Sequence, residues 1–109
     1  MGIVKLYVVV GGNNYWRLRT DREAAQYLRE VPCRRVKVIF SDKNEFYLDG
    51  QMRTYRFCSL AHPNINKWII GHHLNRAIDE APVPLRFSFT IDGDTHIYRY
   101  LGKARRTRI

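Results

Sequence analysis

Four histidines, His62, His72, His73 and His96, are the residues of this 109-residue chain best suited to exchange protons at neutral pH. Two are adjacent on a predicted helix, a third precedes it, and the fourth falls on a predicted hairpin. Such a set suits acid–base cleavage of a phosphodiester. Spacing weakens that chemistry, because neighbouring helical residues point roughly 100° apart and His72 and His73 cannot both address one site. His73 shares a stripe with Arg76 or Ala77, while His72 is expected to pack beside Trp68 and Ile69. His73 is therefore the one weak catalytic candidate, and a toxin-like ribonuclease ranks below the non-enzymatic readings. Gly11-Gly12 lacks the Lys-Ser/Thr that completes a phosphate loop. Asp92 and Asp94 flank a turn glycine, where Asp is expected for backbone reasons and too few oxygens gather for a metal. Cys33 and Cys58 show no CxxC spacing, so zinc, a disulfide framework and any other cofactor are all unsupported.

The second chemistry is electrostatic. Nineteen Lys and Arg stand against ten Asp and Glu, a net charge of +9, and fourteen of the nineteen are Arg. Arginine's planar fork matches phosphate and stacks on bases better than lysine does. Arg34, Arg35 and Lys37 on one predicted hairpin, Arg86 and Arg99 on another, and Lys103, Arg105, Arg106 and Arg108 in the tail are the expected nucleic-acid contacts. Each phosphate they neutralise would release counterions. These residue types fit DNA and RNA alike. An acidic partner protein, bound by an inhibitor or adaptor, is the alternative. Aromatics interleave with cations in Tyr15-Trp16-Arg17, Tyr55-Arg56-Phe57 and Tyr98-Arg99-Tyr100. Alternation puts neighbours on opposite faces, so these rings are expected in the core rather than stacked on bases.

The elements that must position these side chains follow from periodicity. Ile3 to Val10 is a β-branched strand ended by Gly11-Gly12-Asn13-Asn14, and Tyr15 to Arg19 alternates after it. Thr20-Asp21-Arg22-Glu23 reads as a capping box for a helix from Asp21 to Glu30 that buries Ala24, Tyr27, Leu28 and Val31 before Pro32. Val36, Val38 and Phe40 point inward from the next strand. Asp49-Gly50 predicts a hairpin turn between Glu45–Leu48 and Met52–Ser59, with no parity reason to choose its core side. Asn64 or Asn66 is expected to cap a second helix running to about Glu80. Phe87, Phe89 and Ile91, across an Asp92-Gly93-Asp94 turn from His96, Tyr98 and Tyr100, form the aromatic face of a C-terminal hairpin. Arg86 and Arg99 lie on its other face.

The sum is an α+β single domain over residues 1–102. It has a mainly antiparallel sheet of six or seven strands and two helices in the order ββαβββαββ, followed by a basic tail over 103–109. A weak internal αββ repeat relates Asp21–Gly50 to Ile69–Gly102 at an offset of 51. Ile3–Val10 is expected at an edge, where it would permit a homodimer by strand pairing. The start has no signal-peptide pattern, and no run approaches a membrane span. A cytoplasmic location is the expectation.

Overall fold

The computed structural model describes residues 2–10, 15–51, 59–74 and 84–103. In chain order these form β1 (Gly2–Val10), β2 (Trp16–Thr20), α1 (Arg22–Glu30), β3 (Arg35–Ser41), β4 (Asn44–Asp49), β5 (Ser59–Leu60), α2 (Pro63–Gly71), β6 (Pro84–Asp92) and β7 (Thr95–Lys103). The strands join in one sheet in the order β4-β3-β7-β6-β1-β2-β5. β3 and β7 run parallel, and every other neighbouring pair runs antiparallel. The Cα radius of gyration, 13.3 Å, matches the roughly 13 Å of one compact domain of this length. The protein is a single α+β domain built on a mixed sheet.

Alternation decides which side of the sheet is dry. Leu6 and Val8 on β1, Leu18 on β2, Val36 and Val38 on β3, Phe46 and Leu48 on β4, Leu85, Phe87 and Phe89 on β6, and Tyr98 on β7 are all buried in one cluster. The side of β4 that parity left open is thus settled, with Phe46 and Leu48 inward. Leu28 of α1 and Ile65, Trp68 and Ile69 of α2 join the same cluster, so both helices contribute to this core. At the end of the β6–β7 hairpin Asp92 pairs with Thr95, leaving Gly93-Asp94 as the two-residue loop. Gly93 has φ +63°, the left-handed value such a tight loop needs and an L-residue resists.

Helix α2 sits within the curl of the sheet. The indole of Trp68 stacks on Phe40 of β3 (centroids 4.1 Å) and meets Tyr100 of β7 edge-on at 4.8 Å. The Asn66 side chain accepts a hydrogen bond from the backbone N–H of Trp16 in β2 at 2.9 Å. His62, one residue before α2, stacks on Phe46 of β4 at 4.6 Å. In a flat sheet β4 and β2 would lie about 24 Å apart, whereas a nine-residue helix is only about 14 Å long. Strand twist and curl bring the two flanks onto the helix. The opposite face is therefore the outer, convex one.

Several local expectations change. Thr20 is buried within β2, and Asp21 caps α1 by accepting from the Ala24 N–H at 2.8 Å. The side chains of Glu23 and Tyr27 lie outside the described ones. Helix α2 is capped neither by Asn64 nor by Asn66. His62 Nδ1 accepts from the Asn64 N–H at 3.1 Å, and Pro63 takes the first helical position, where its missing N–H costs nothing. The helix stops at Gly71, with His73 at φ 57° in the turn beyond it. The span predicted to continue to Glu80 lies outside the described residues from 75 onward. β1 lies inside the sheet order rather than at its edge, hydrogen-bonded to β6 over Gly2–Tyr7 and to β2 over Leu6–Val10.

The return strand expected after Asp49-Gly50 lies outside the described residues over 52–58. Its last piece, β5, pairs with β2 at the far end of the sheet order from β4. Gly50 is required for another reason than a left-handed turn. A Cβ there would stand 2.9 Å from the Cys33 carbonyl oxygen and 3.0 Å from its carbonyl carbon, with the Cys33 thiol closer still. Among the described residues, no helix is long and apolar enough to cross a membrane.

Candidate nucleic-acid interface

Residues directly paired across a sheet project to the same side, so the register maps the outer face. Arg35, Lys37 and Ile39 of β3 face Thr95, Ile97 and Arg99 of β7. Arg99 faces Ser88 of β6, and Arg86 of the same strand faces Lys5 of β1. Tyr7 and Val9 of β1 face Arg19 and Arg17 of β2. Lys5, Arg17, Arg19, Arg35, Lys37, Arg86 and Arg99 thus belong to one side, opposite the hydrophobic core. Among the described residues, the acidic ones sharing it are Glu45 and Asp49 on β4, opposite Ile39 and Arg35, and Asp92 opposite Thr95.

The cations are not scattered over this face. Followed from β3 through β7, β6 and β1 to β2, they step along the strand direction as they cross it. The stripe runs from Arg35 at one corner to Arg17 at the other. With strand spacings of about 4.8 Å and rises of about 3.3 Å, it covers roughly 19 Å across the strands and roughly 33 Å along them. Among the described residues one ion pair touches it, Lys37 Nζ to Glu45 Oε1 at 3.7 Å. Both partners are partly solvated, so that pair neutralises little. Asp49 is engaged in its own turn, accepting from the Gln51 N–H at 2.8 Å. Arg17 Nε is shielded from solvent with no hydrogen-bond partner in the structure.

Apolar groups accompany the charge. Tyr47 on β4, directly opposite Lys37, is 51% exposed. The Arg35 guanidinium lies 5.2 Å from its ring centroid and the Lys37 ammonium 5.7 Å, both within cation–π reach. Ile3, beside Ser88, is 63% exposed, and Leu101 on β7 is also open to solvent.

Four of the expected contacts, Arg35, Lys37, Arg86 and Arg99, come together on this face. Arg34 does not join them. It lies just before β3, where its N–H donates to the Asp94 carbonyl at 2.7 Å and its carbonyl accepts from Gly50. Lys103 is turned aside by a bulge. Phe87 pairs with Tyr100 but Arg86 with Gly102, so Leu101 is the extra residue and Lys103 falls opposite the buried Leu85. Gly102 at φ +125° accommodates that irregularity. Arg105, Arg106 and Arg108 lie outside the described residues. Lys5, Arg17, Arg19 and Tyr47 belong to the face but are not among the contacts expected from sequence. Alternation had placed Arg17 and Arg19 on one side of their strand; knowing which strands are neighbours was the missing information.

The histidines separate into unrelated structural positions. His96 is fully buried, edge-on to Phe89 at 5.4 Å, and its Nε2 donates to the Pro32 carbonyl at 3.2 Å. Burial holds its pKa below the ordinary value, outweighing the opposite pull of that hydrogen bond. Burial also lowers the pKa of His62, which is occupied as the α2 cap. His72 Nδ1 donates to the Trp68 carbonyl at 2.9 Å, and its ring lies 4.6 Å from the indole, the packing expected for it. His73 is exposed in the turn after α2 and so is not on a helical stripe; Arg76 and Ala77 lie outside the described residues. Near this turn Asn44, Asn64, Lys67, Trp68, Gly71 and His72 line a shallow cleft of about 340 Å³, remote from the outer face of the sheet.

The chain matches no protein-family model, and no curated protein or solved structure matches it significantly.

Proposed function

We propose that the protein is a small, non-enzymatic nucleic-acid-binding module whose outer sheet face contacts the phosphate backbone. The observation that carries this reading is the diagonal stripe of seven cations, met by one partly solvated ion pair among the described residues. Concentrating like charge on one face costs self-repulsion, which a polyanion relieves. Arg35, Arg86 and Arg99 are the phosphate contacts at the centre of the proposal, with Lys37, Lys5, Arg17 and Arg19 extending them. Arg34, Lys103 and the tail arginines Arg105, Arg106 and Arg108 are proposed as accessory contacts off that face.

The test is binding of a labelled mixed-sequence oligonucleotide, followed by anisotropy across a salt series. Six stripe cations without an ion pair predict a log–log slope near −4 on a single strand, at about −0.7 per phosphate neutralised. Arg86→Ala with Arg99→Ala is expected to make the slope shallower by about 1.4, and charges elsewhere in the chain cancel in that difference. An unchanged slope in the double variant would remove the face from the mechanism. Failure to bind any oligonucleotide at about 50 mM salt would turn the reading to an acidic protein partner.

Two finer readings stay with this proposal. The αββ recurrence is proposed as a duplication, on the parallel succession of α1-β3-β4 and α2-β6-β7. A reducing, cytoplasmic setting is proposed on cysteine usage, since two cysteines without CxxC spacing are too few for a disulfide framework.

A further inference from the structure

Resting on the nucleic-acid reading above, we infer that the occupant of the outer face is a single strand. It crosses the sheet diagonally and stacks a base on Tyr47. A duplex is read by an element slim enough to enter a groove, and the major groove, about 12 Å wide, admits one helix or a two-stranded ribbon. Among the described residues the outer face presents neither. It is the continuous, convex side of a seven-stranded sheet, about 29 Å measured along its curve at the usual strand spacing. Against a duplex such a surface can meet only the phosphates nearest to it.

The side chains among the cations point the same way. Phosphate needs no apolar partner, yet Tyr47, Ile3 and Leu101 keep between 42% and 63% of their surface exposed on this side. Unstacked bases supply the flat apolar faces that such groups complement, and a paired duplex hides them. Tyr47 is the best placed of the three. Arg35 and Lys37 lie 5.2 and 5.7 Å from its ring centroid, so a base that takes their place on the ring would have two cations beside it for its flanking phosphates. The single file of the stripe, one or two cations per strand from β3 to β2, suits one backbone crossing the sheet. It does not offer the two parallel rows that would straddle a groove.

The experiment compares a mixed-sequence 20-mer as DNA and as RNA, its duplex, and inorganic polyphosphate of similar charge, at one salt concentration. The variants are Tyr47→Ala and Tyr47→Phe, both checked for a wild-type thermal transition. The single strand is expected to bind more tightly than the duplex. Tyr47→Ala should weaken single-strand binding about 5- to 150-fold while leaving polyphosphate binding unchanged, and Tyr47→Phe should retain it. Equal or tighter duplex binding, or no loss in Tyr47→Ala, overturns the single-strand inference and leaves phosphate recognition standing. If the folded protein binds no oligonucleotide at all, the nucleic-acid reading fails and takes this inference with it.

Discussion

Replacing Trp68 by alanine tests the arrangement that creates the outer face. The indole is 92% buried, with 8% exposed. It touches Phe40 on β3, Tyr100 on β7 and His72 after α2, with centroids 4.1, 4.8 and 4.6 Å away. Burying an aromatic side chain removes about 150–250 Å² from water. At about 25 cal/mol per Å² that is roughly 4–6 kcal/mol, an upper figure because unfolded chains already bury part of it. Measured truncations of large aromatics, cavity included, cost about 3–5 kcal/mol. Taking about 4 kcal/mol and an unfolding entropy of about 2.1 cal/mol/K per residue over 109 residues, the melting temperature should fall by about 17 °C.

The assay is paired thermal and urea unfolding of Trp68→Ala beside Ile70→Ala. Ile70 lies on the same helix but is 45% exposed, and its truncation should cost well under half as much. Wild-type domains of this length hold about 5–15 kcal/mol in total, so the Trp68 variant should still fold at low temperature. If the two alanine variants lose equal stability, or Trp68→Ala loses under about 1 kcal/mol, then α2 does not bind the curled strands together as described.

Three further outcomes follow from local geometry. Gly50→Ala should cost about 1–3 kcal/mol by urea unfolding, because its methyl is driven into the Cys33 carbonyl; a neutral result would mean that the β3–β4 end yields easily. Asp21→Ala should cost about 1 kcal/mol through the lost cap at Ala24, while Asp21→Asn should lose much less. Stability should decline as pH falls below the ordinary histidine value of 6.5, since burial keeps folded His96 neutral while the unfolded chain takes up its proton there. The decline should continue down to the depressed folded pKa, and His62 contributes with the same sign. His96→Gln should flatten that decline in melts at several pH values, and a wild-type protein that grows more stable on acidification would contradict the burial argument.

Where the sequence reading erred, the competing physics can be named. Thr20 had the right chemistry for a cap, but the β1–β2 ladder claimed it and passed capping to Asp21. Asn66 was equally plausible, but its amide is taken by the Trp16 N–H fifty residues away. His62 became the cap because Pro63 follows it and forces the helix to begin there. β1 looked like an edge strand because its apolar run is continuous, yet strands with partners on both sides also read that way. Lys103, expected in the tail, ends β7, and a bulge that no alternation count reveals sets it off the arginine face.

The amino-acid sequence by itself determined the class of fold, the inward residues of β3, β6 and β7 and the excess of arginine. Each depends on near neighbours in the chain, through backbone preference, two-residue alternation and net charge. Tertiary structure alone decided that β3 lies parallel to β7, that β6 lies beside β1, and hence that Arg35, Arg99, Arg86, Lys5 and Arg19 form one stripe. Alternation states which side of its own strand an arginine takes. Which strands become neighbours is set by how the hydrophobic faces close around Trp68 and the rest of α2, a choice spread over the whole chain and visible in no single stretch of it.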